Sequence, residues 1–188
     1  MRPAFVVLAV LALLLGGVGQ ARAGLVGSTV HATYDFPYGT LYQDNGTQIV
    51  TSPSVSFTAS DPTGYVFLTE TVSDTQISLQ TNDIGLWSGP FQGPLFDFLG
   101  SGNLISGVTV NGATNWPGFD QSRVTLISDG AGGQIIEVNL GGLNVTVSSD
   151  VILDVTTSSV PEPSTLLVWS GLGAIGAVMA YRRKRRAA

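Results

Sequence analysis

A two-residue rhythm restricts this chain more than any other feature. Apolar and polar residues alternate in Val55-Ser-Phe57-Thr-Ala59, Ile77-Ser-Leu79, Val108-Thr-Val110 and Val124-Thr-Leu126, and again in Ile136-Glu-Val138-Asn-Leu140, Val145-Thr-Val147 and Val151-Ile-Leu153-Asp-Val155. Successive side chains of an extended strand point to opposite faces, so this period gives each run one apolar face and one wet face. Val, Ile, Thr and Phe dominate the runs, and these residues fit a pleated, half-buried surface. Between the runs lie turn-forming clusters: Asp44-Asn45-Gly46, Asp61-Pro62-Thr63-Gly64, Ser101-Gly102-Asn103, Asn111-Gly112, Asp129-Gly130-Ala131-Gly132-Gly133 and Gly141-Gly142. No long window carries a capped helical period. Residues 24–159 are therefore predicted to form an all-β domain, an antiparallel β-sandwich of jelly-roll or immunoglobulin-like type. Gly89-Pro90-Phe91-Gln92-Gly93-Pro94-Leu95-Phe96-Asp97-Phe98 interrupts the alternation. It reads as an irregular connection whose aromatics plug one end of the sandwich, with an ordered ligand-facing loop as the alternative.

The two ends follow a different logic. Arg2 precedes an apolar run from Ala4 to Val18, and Ala21-Arg22-Ala23 supplies the small-x-small pattern that a signal peptidase accepts. Residues 1–23 read as a signal peptide and Gly24 as the first residue of the mature chain. At the other end, Leu166 to Tyr181 contains no charged residue. Sixteen helical residues reach roughly 24 Å, and snorkelling side chains extend that toward the ~30 Å of a bilayer core. A single transmembrane helix is predicted over 166–181, with Trp169 and Tyr181 toward its two interfaces. Arg182, Arg183, Lys184, Arg185 and Arg186 follow it, and a basic cluster stays on the cytoplasmic side. Pro161 and Pro163 bar the helix from extending backwards.

Pro161-Glu162-Pro163, the apolar span and the basic cluster, in that order, resemble the PEP-CTERM sorting tail of exported bacterial proteins. The resemblance covers residues 160–188. It implies an exosortase-type processing enzyme and the lipid bilayer as partners. It also implies an inner-membrane precursor whose body lies outside the cytoplasm, and delivery to the surface or extracellular matrix in the context of exopolysaccharide. It implies nothing about the chemistry of the body.

Composition removes several classes of activity. Outside the two ends the only basic residue is Arg123, against twelve acids, a formal charge of −11 over residues 24–159. Such a domain has no electrostatic footprint for nucleic acid. With no cysteine in the chain, disulfides, thiolate nucleophiles and Cys-ligated metals are excluded. His31 is the only histidine and no Gly-x-Ser-x-Gly accompanies it, so a serine-hydrolase triad is not expected. Glu70 and Glu137 are the only glutamates of the body and the only pair a glycosidase could draw on; solvent-facing acids on strands explain both more simply. Asp61, Asp74, Asp129 and Asp150 are the candidates for a calcium site built from separate loops, but no Asp-x-Asp-x-Asp-Gly loop gathers them, and turn formation is the expected role. Asn45-Gly-Thr47 and Asn144-Val-Thr146 fit a glycosylation sequon and are read as incidental.

The expectation is thus a non-enzymatic envelope or extracellular-matrix protein with no cofactor, sorted to the surface and associated with polysaccharide. A carbohydrate-binding module is the first alternative, with Trp87, Phe91, Trp116 and Phe119 as its aromatic candidates; a core role is expected more of the phenylalanines than of Trp116, which sits in an Asn-Trp-Pro-Gly turn. An envelope-polysaccharide hydrolase is the second.

Overall fold

The structure, a computed structural model, describes residues 24–36, 40–99, 103–130, 132–159, 171–173 and 175–176. Arg22–Ser159 forms one compact unit, and the five described tail residues, all helical, belong to another. Among the described residues no helix is long and apolar enough to cross a membrane. Ala21, Ala23, Pro161, Glu162, Pro163, Arg182, Arg183, Lys184, Arg185, Arg186 and most of the 166–181 span lie outside the described residues.

The body is all-β and antiparallel. Among the described residues twelve strands run in chain order: β1 (Thr29–Asp35), β2 (Leu41–Ile49), β3 (Ser54–Ser60), β4 (Val66–Ser73), β5 (Gln76–Thr81), β6 (Gly85–Leu86), β7 (Gly93–Leu99), β8 (Asn103–Val110), β9 (Val124–Ser128), β10 (Gln134–Val138), β11 (Asn144–Val145) and β12 (Asp150–Ser159). One sheet has the order β2-β1-β7-β10-β9 and the other β3-β4-β5-β12-β8, while β6 and β11 make a two-stranded ribbon. The predicted rhythm is what buries one face of each sheet. Val30, Ala32 and Tyr34 of β1, Leu68 and Val72 of β4, Ile77 and Leu79 of β5, and Val151, Leu153 and Val155 of β12 share one core with Phe96 and Ile136. Their neighbours in sequence face outward, as period two requires.

Glutamines seal the two edges of the second sheet. Gln43 accepts from the Ser60 amide at 2.7 Å and donates to the Thr58 carbonyl, and Gln48 donates to the Ser56 carbonyl at 3.0 Å, all on edge strand β3. On edge strand β8, Gln121 accepts from the Val110 amide at 2.8 Å and donates to the Val108 carbonyl at 3.1 Å. Gln134 makes the same pair of bonds to the backbone of Ile105. A side-chain amide has one donor and one acceptor in nearly the geometry of a peptide group, so each glutamine stands where the next strand would pair. The edges are closed without extending the sheet.

Four expectations are corrected. The 93–98 part of the aromatic Gly-Pro stretch is not an irregular plug: it forms β7, the central strand of its sheet, with Phe96 and Phe98 buried. Gly93 begins that strand where a Cβ would run into the Val138 carbonyl, so the glycine is a packing requirement and not a loop signal. Asp44-Asn45-Gly46 is not a turn but lies within β2, where Gly46 at φ +84° accommodates a register shift against β1. Glu70 does not face solvent; it points inward between Leu68 and Val72 and is fully buried. The predicted Val145–Val147 run survives only as the two residues of β11.

Candidate functional site

One end of the body holds an aromatic pocket of about 280 Å³. The end of β1 provides Tyr34, the residue just beyond it Phe36, the start of β2 Tyr42, and the start of β4 Phe67. The β3–β4 turn contributes Asp61, and the β5–β7 connection contributes Asp83, Leu86, Trp87, Ser88 and Gln92. Tyr34 is held by the alternation of β1, whose inward positions are Val30, Ala32 and Tyr34. Phe67 follows the β3–β4 turn, which Asp61 builds by accepting from the amides of Thr63 and Tyr65 and from the Thr63 hydroxyl.

The rings meet edge to face. Tyr34 and Phe67 have centroids 5.2 Å apart at 74°, Phe67 and Trp87 5.9 Å at 88°, Tyr34 and Trp87 6.3 Å at 85°. Tyr42 packs against Tyr34 and Phe67 at 6.1 and 6.3 Å. This is the arrangement that aromatic quadrupoles favour, and it fixes the walls against one another. Rings set at right angles do not form a flat stacking platform.

Polar groups interrupt the aromatic lining. The Tyr34 hydroxyl is buried and has no hydrogen-bond partner of normal geometry. Burial pushes its titration far above the usual tyrosine range, the nearby Gln92 side chain opposing only in part, so the hydroxyl stays neutral. The Thr63 side chain and the backbone amides of its turn hold the Asp61 carboxyl below the usual range, and Asp61 is an anion at neutral pH. Asp83 accepts from the Ile84 amide through Oδ1 at 2.8 Å. Among the described residues no basic side chain lines the pocket. Arg123, the single cation of the body, donates to the carbonyls of Asn139 and Gly141. Sequence neighbours of the lining also expose apolar surface, with Leu41 of β2, Tyr65 and Ile84 49–70% accessible.

Of the four aromatics expected at a binding rim, only Trp87 lines the pocket. Phe91 and Trp116 are buried, and Phe119 packs half-buried against the core. The correction for Trp116 has a simple cause: its turn folds inward, bringing its ring 5.4 Å from that of Trp87. The two glutamates are not brought together, since Glu70 points into the core from β4 and Glu137 lies on the outward face of β10 in the other sheet. His31 pairs with Asp44 at 2.9 Å on the surface. The four candidate calcium aspartates do not converge. Asp61 and Asp129 each hold their own turn, Asp74 accepts from the Val26 amide, and the Asp150 amide donates to Asn115. Among the described residues no three acidic or histidine side chains are grouped to hold a metal ion. Asn45 of the first sequon reaches inward to Glu70, whereas Asn144 is exposed. Tyr34, Tyr42, Phe67 and Asp83 were missed because no local motif joins them; only the fold brings four separate segments to one end.

Residues 159–186 match the PEP-CTERM protein-sorting motif. No curated protein and no solved structure matches the chain. The motif marks an exported, membrane-anchored precursor that an exosortase-type enzyme processes and sorts to the surface.

Proposed function

We propose that this protein is a non-enzymatic surface module, exported as a membrane-held precursor and delivered by exosortase processing into the polysaccharide-rich layer outside the cell. One observation carries the reading. The last strand, β12, ends at Ser159, where the sorting motif begins. That strand pairs with β5 along Asp150–Asp154 and with β8 along Leu153–Ser159, so it is an inner member of its sheet. Its pairing is complete before Pro161-Glu162-Pro163. A cut near the tripeptide removes the tail without taking a residue from the sandwich, and the released body keeps its closing strand. A body of formal charge −11 with both edges of one sheet sealed also suits a soluble life beside anionic lipid.

The test is the intact mass of the protein recovered from the cells that make it, in membrane and released fractions separately. The reading expects a released species that begins at Gly24 and ends close to Glu162. A membrane species that keeps residues 166–188, with no shortened form in any fraction, would overturn it and make the tail a permanent anchor.

A further inference from the structure

We propose that the aromatic pocket is a binding site for an organic ammonium group, with Tyr34, Tyr42, Phe67 and Trp87 as its walls and Asp61 and Asp83 as its anionic partners. Three independent features point to this chemistry. The rings stand nearly perpendicular to one another, at 74°, 85° and 88° among Tyr34, Phe67 and Trp87. A flat sugar face needs a platform, whereas a compact cation is attracted to aromatic rings from several directions at once. The charge is one-sided: among the described residues two carboxylates and no basic side chain line the pocket, within a body of formal charge −11. Anionic ligands are repelled there, and cations are drawn in. Finally, the Tyr34 hydroxyl is buried at this end of the sandwich without a partner of normal geometry. An unpaired buried polar group is costly, and a ligand atom that pairs with it recovers that cost.

The volume of about 280 Å³ lies near the lower bound of small-molecule clefts, enough for one sugar-sized unit or one headgroup and too small for an extended chain. The same ammonium chemistry comes from two sources, the amine of a deacetylated amino sugar and the quaternary ammonium of a choline headgroup. Neutral and N-acetylated sugars lack it.

The experiment uses the full chain in non-ionic detergent and follows the indole N–H resonance of Trp87 on titration with glucosamine, choline, glucose and N-acetylglucosamine. The expected result is saturable binding of an amine-bearing probe, at least about fivefold tighter than either neutral sugar and weakening as salt is raised. Preference for glucosamine assigns the site to an amino sugar, and preference for choline to a headgroup. Asp83→Asn keeps the Oδ1 acceptor for the Ile84 amide and removes the charge, and it should weaken amine binding about fivefold or more. Tyr42→Leu, at a half-exposed ring, should weaken it as well without disturbing the core. Equal binding of glucose and glucosamine overturns the proposal. So does amine binding that Asp83→Asn leaves unchanged, or no response to any amine up to about 10 mM.

Discussion

Replacing Glu70 with glutamine should make the body markedly more stable in alkaline solution and nearly unchanged in acid. The side chain lies on the inward face of β4, fully buried, with the Asn45 amide nitrogen 3.4 Å from both carboxylate oxygens as its polar contact. Burial raises its pKa from an ordinary 4.5 to about 8, against the smaller lowering effect of Asn45. A folded-state value above the unfolded one means that the folded chain holds its proton longer. The stabilising contribution is therefore complete below pH 4.5, declines between 4.5 and 8, and is gone above 8. At about 1.4 kcal/mol per unit, that window spans on the order of 4–5 kcal/mol, a large share of the 5–15 kcal/mol of a typical domain. Glutamine has nearly the same shape and cannot ionise. Urea unfolding of residues 24–159 and of the Glu70→Gln variant at pH 5, 7 and 9 reads the effect directly. The difference between the two proteins should grow with pH in favour of the variant, by several kcal/mol between pH 5 and 9. Parallel stability curves for the two would show that Glu70 titrates normally, and the reasoning from burial would fail.

Two further substitutions examine the architecture. Removing the amides that cap β8, with Gln121→Ala and Gln134→Ala together, should cost about 1–3 kcal/mol and let bodies pair edge to edge; light scattering that finds the variant monomeric at concentrations up to about 0.1 mM would argue that the glutamines do not guard the edge. Gly93→Ala pushes a methyl group into the Val138 carbonyl, a backbone atom with no rotamer to yield, and should destabilise by roughly 2–4 kcal/mol in the same urea assay, whereas Gly107→Ala, which meets open space, should change little.

Sheet class and core were legible because period two is a local signal. Val55–Ala59, Ile77–Leu79 and Val151–Val155 each carry it within five residues, and each became a core strand. β7 hid behind its own composition. Gly93 and Pro94 mimic a loop, yet both are buried, and their reason for being there is the close approach of Val138, far away in sequence. Glu70 misled for a related reason: its position, in step with Leu68 and Val72, is an inward one, but a lone acid is normally on the wet face, and only the partner sheet supplies the Asn45 amide that meets it. The pocket could not be read in advance, since Tyr34, Tyr42, Phe67 and Trp87 belong to four segments with no common spacing. The tail behaved oppositely, because a sorting signal is read by an enzyme as linear chain and must be complete in the sequence.

The mature start predicted from the sequence, Gly24, offers a last prediction that joins processing to stability. Gly24 is buried, and a Cβ on it would lie 2.7 Å from Cγ and 2.8 Å from Oδ2 of Asp74, on the turn between β4 and β5. The same aspartate accepts from the Val26 amide at 3.0 Å through Oδ1, and its backbone carbonyl accepts from the Leu25 amide at 2.7 Å. Cleavage after Ala23 would convert the Gly24 nitrogen, two covalent bonds from that Cβ position, from an amide into an ammonium directly beside this carboxylate. The precursor cannot form that ion pair, so the mature chain should be held to its β4–β5 turn more firmly than any form with residues left in front of it. Asp74 is exposed, which limits the gain to about 0.5–1 kcal/mol. Four proteins decide the matter: the chain beginning at Gly24, the chain that keeps residues 22 and 23 with Arg22→Ala to remove the extra charge, and each of these with Asp74→Asn. The Asp74 substitution should cost more in the chain that begins at Gly24, and the excess is the coupling between the new terminus and the carboxylate. An equal cost in both backgrounds would mean that Asp74 serves only the Leu25 and Val26 amides, and that cleavage adds nothing to the fold.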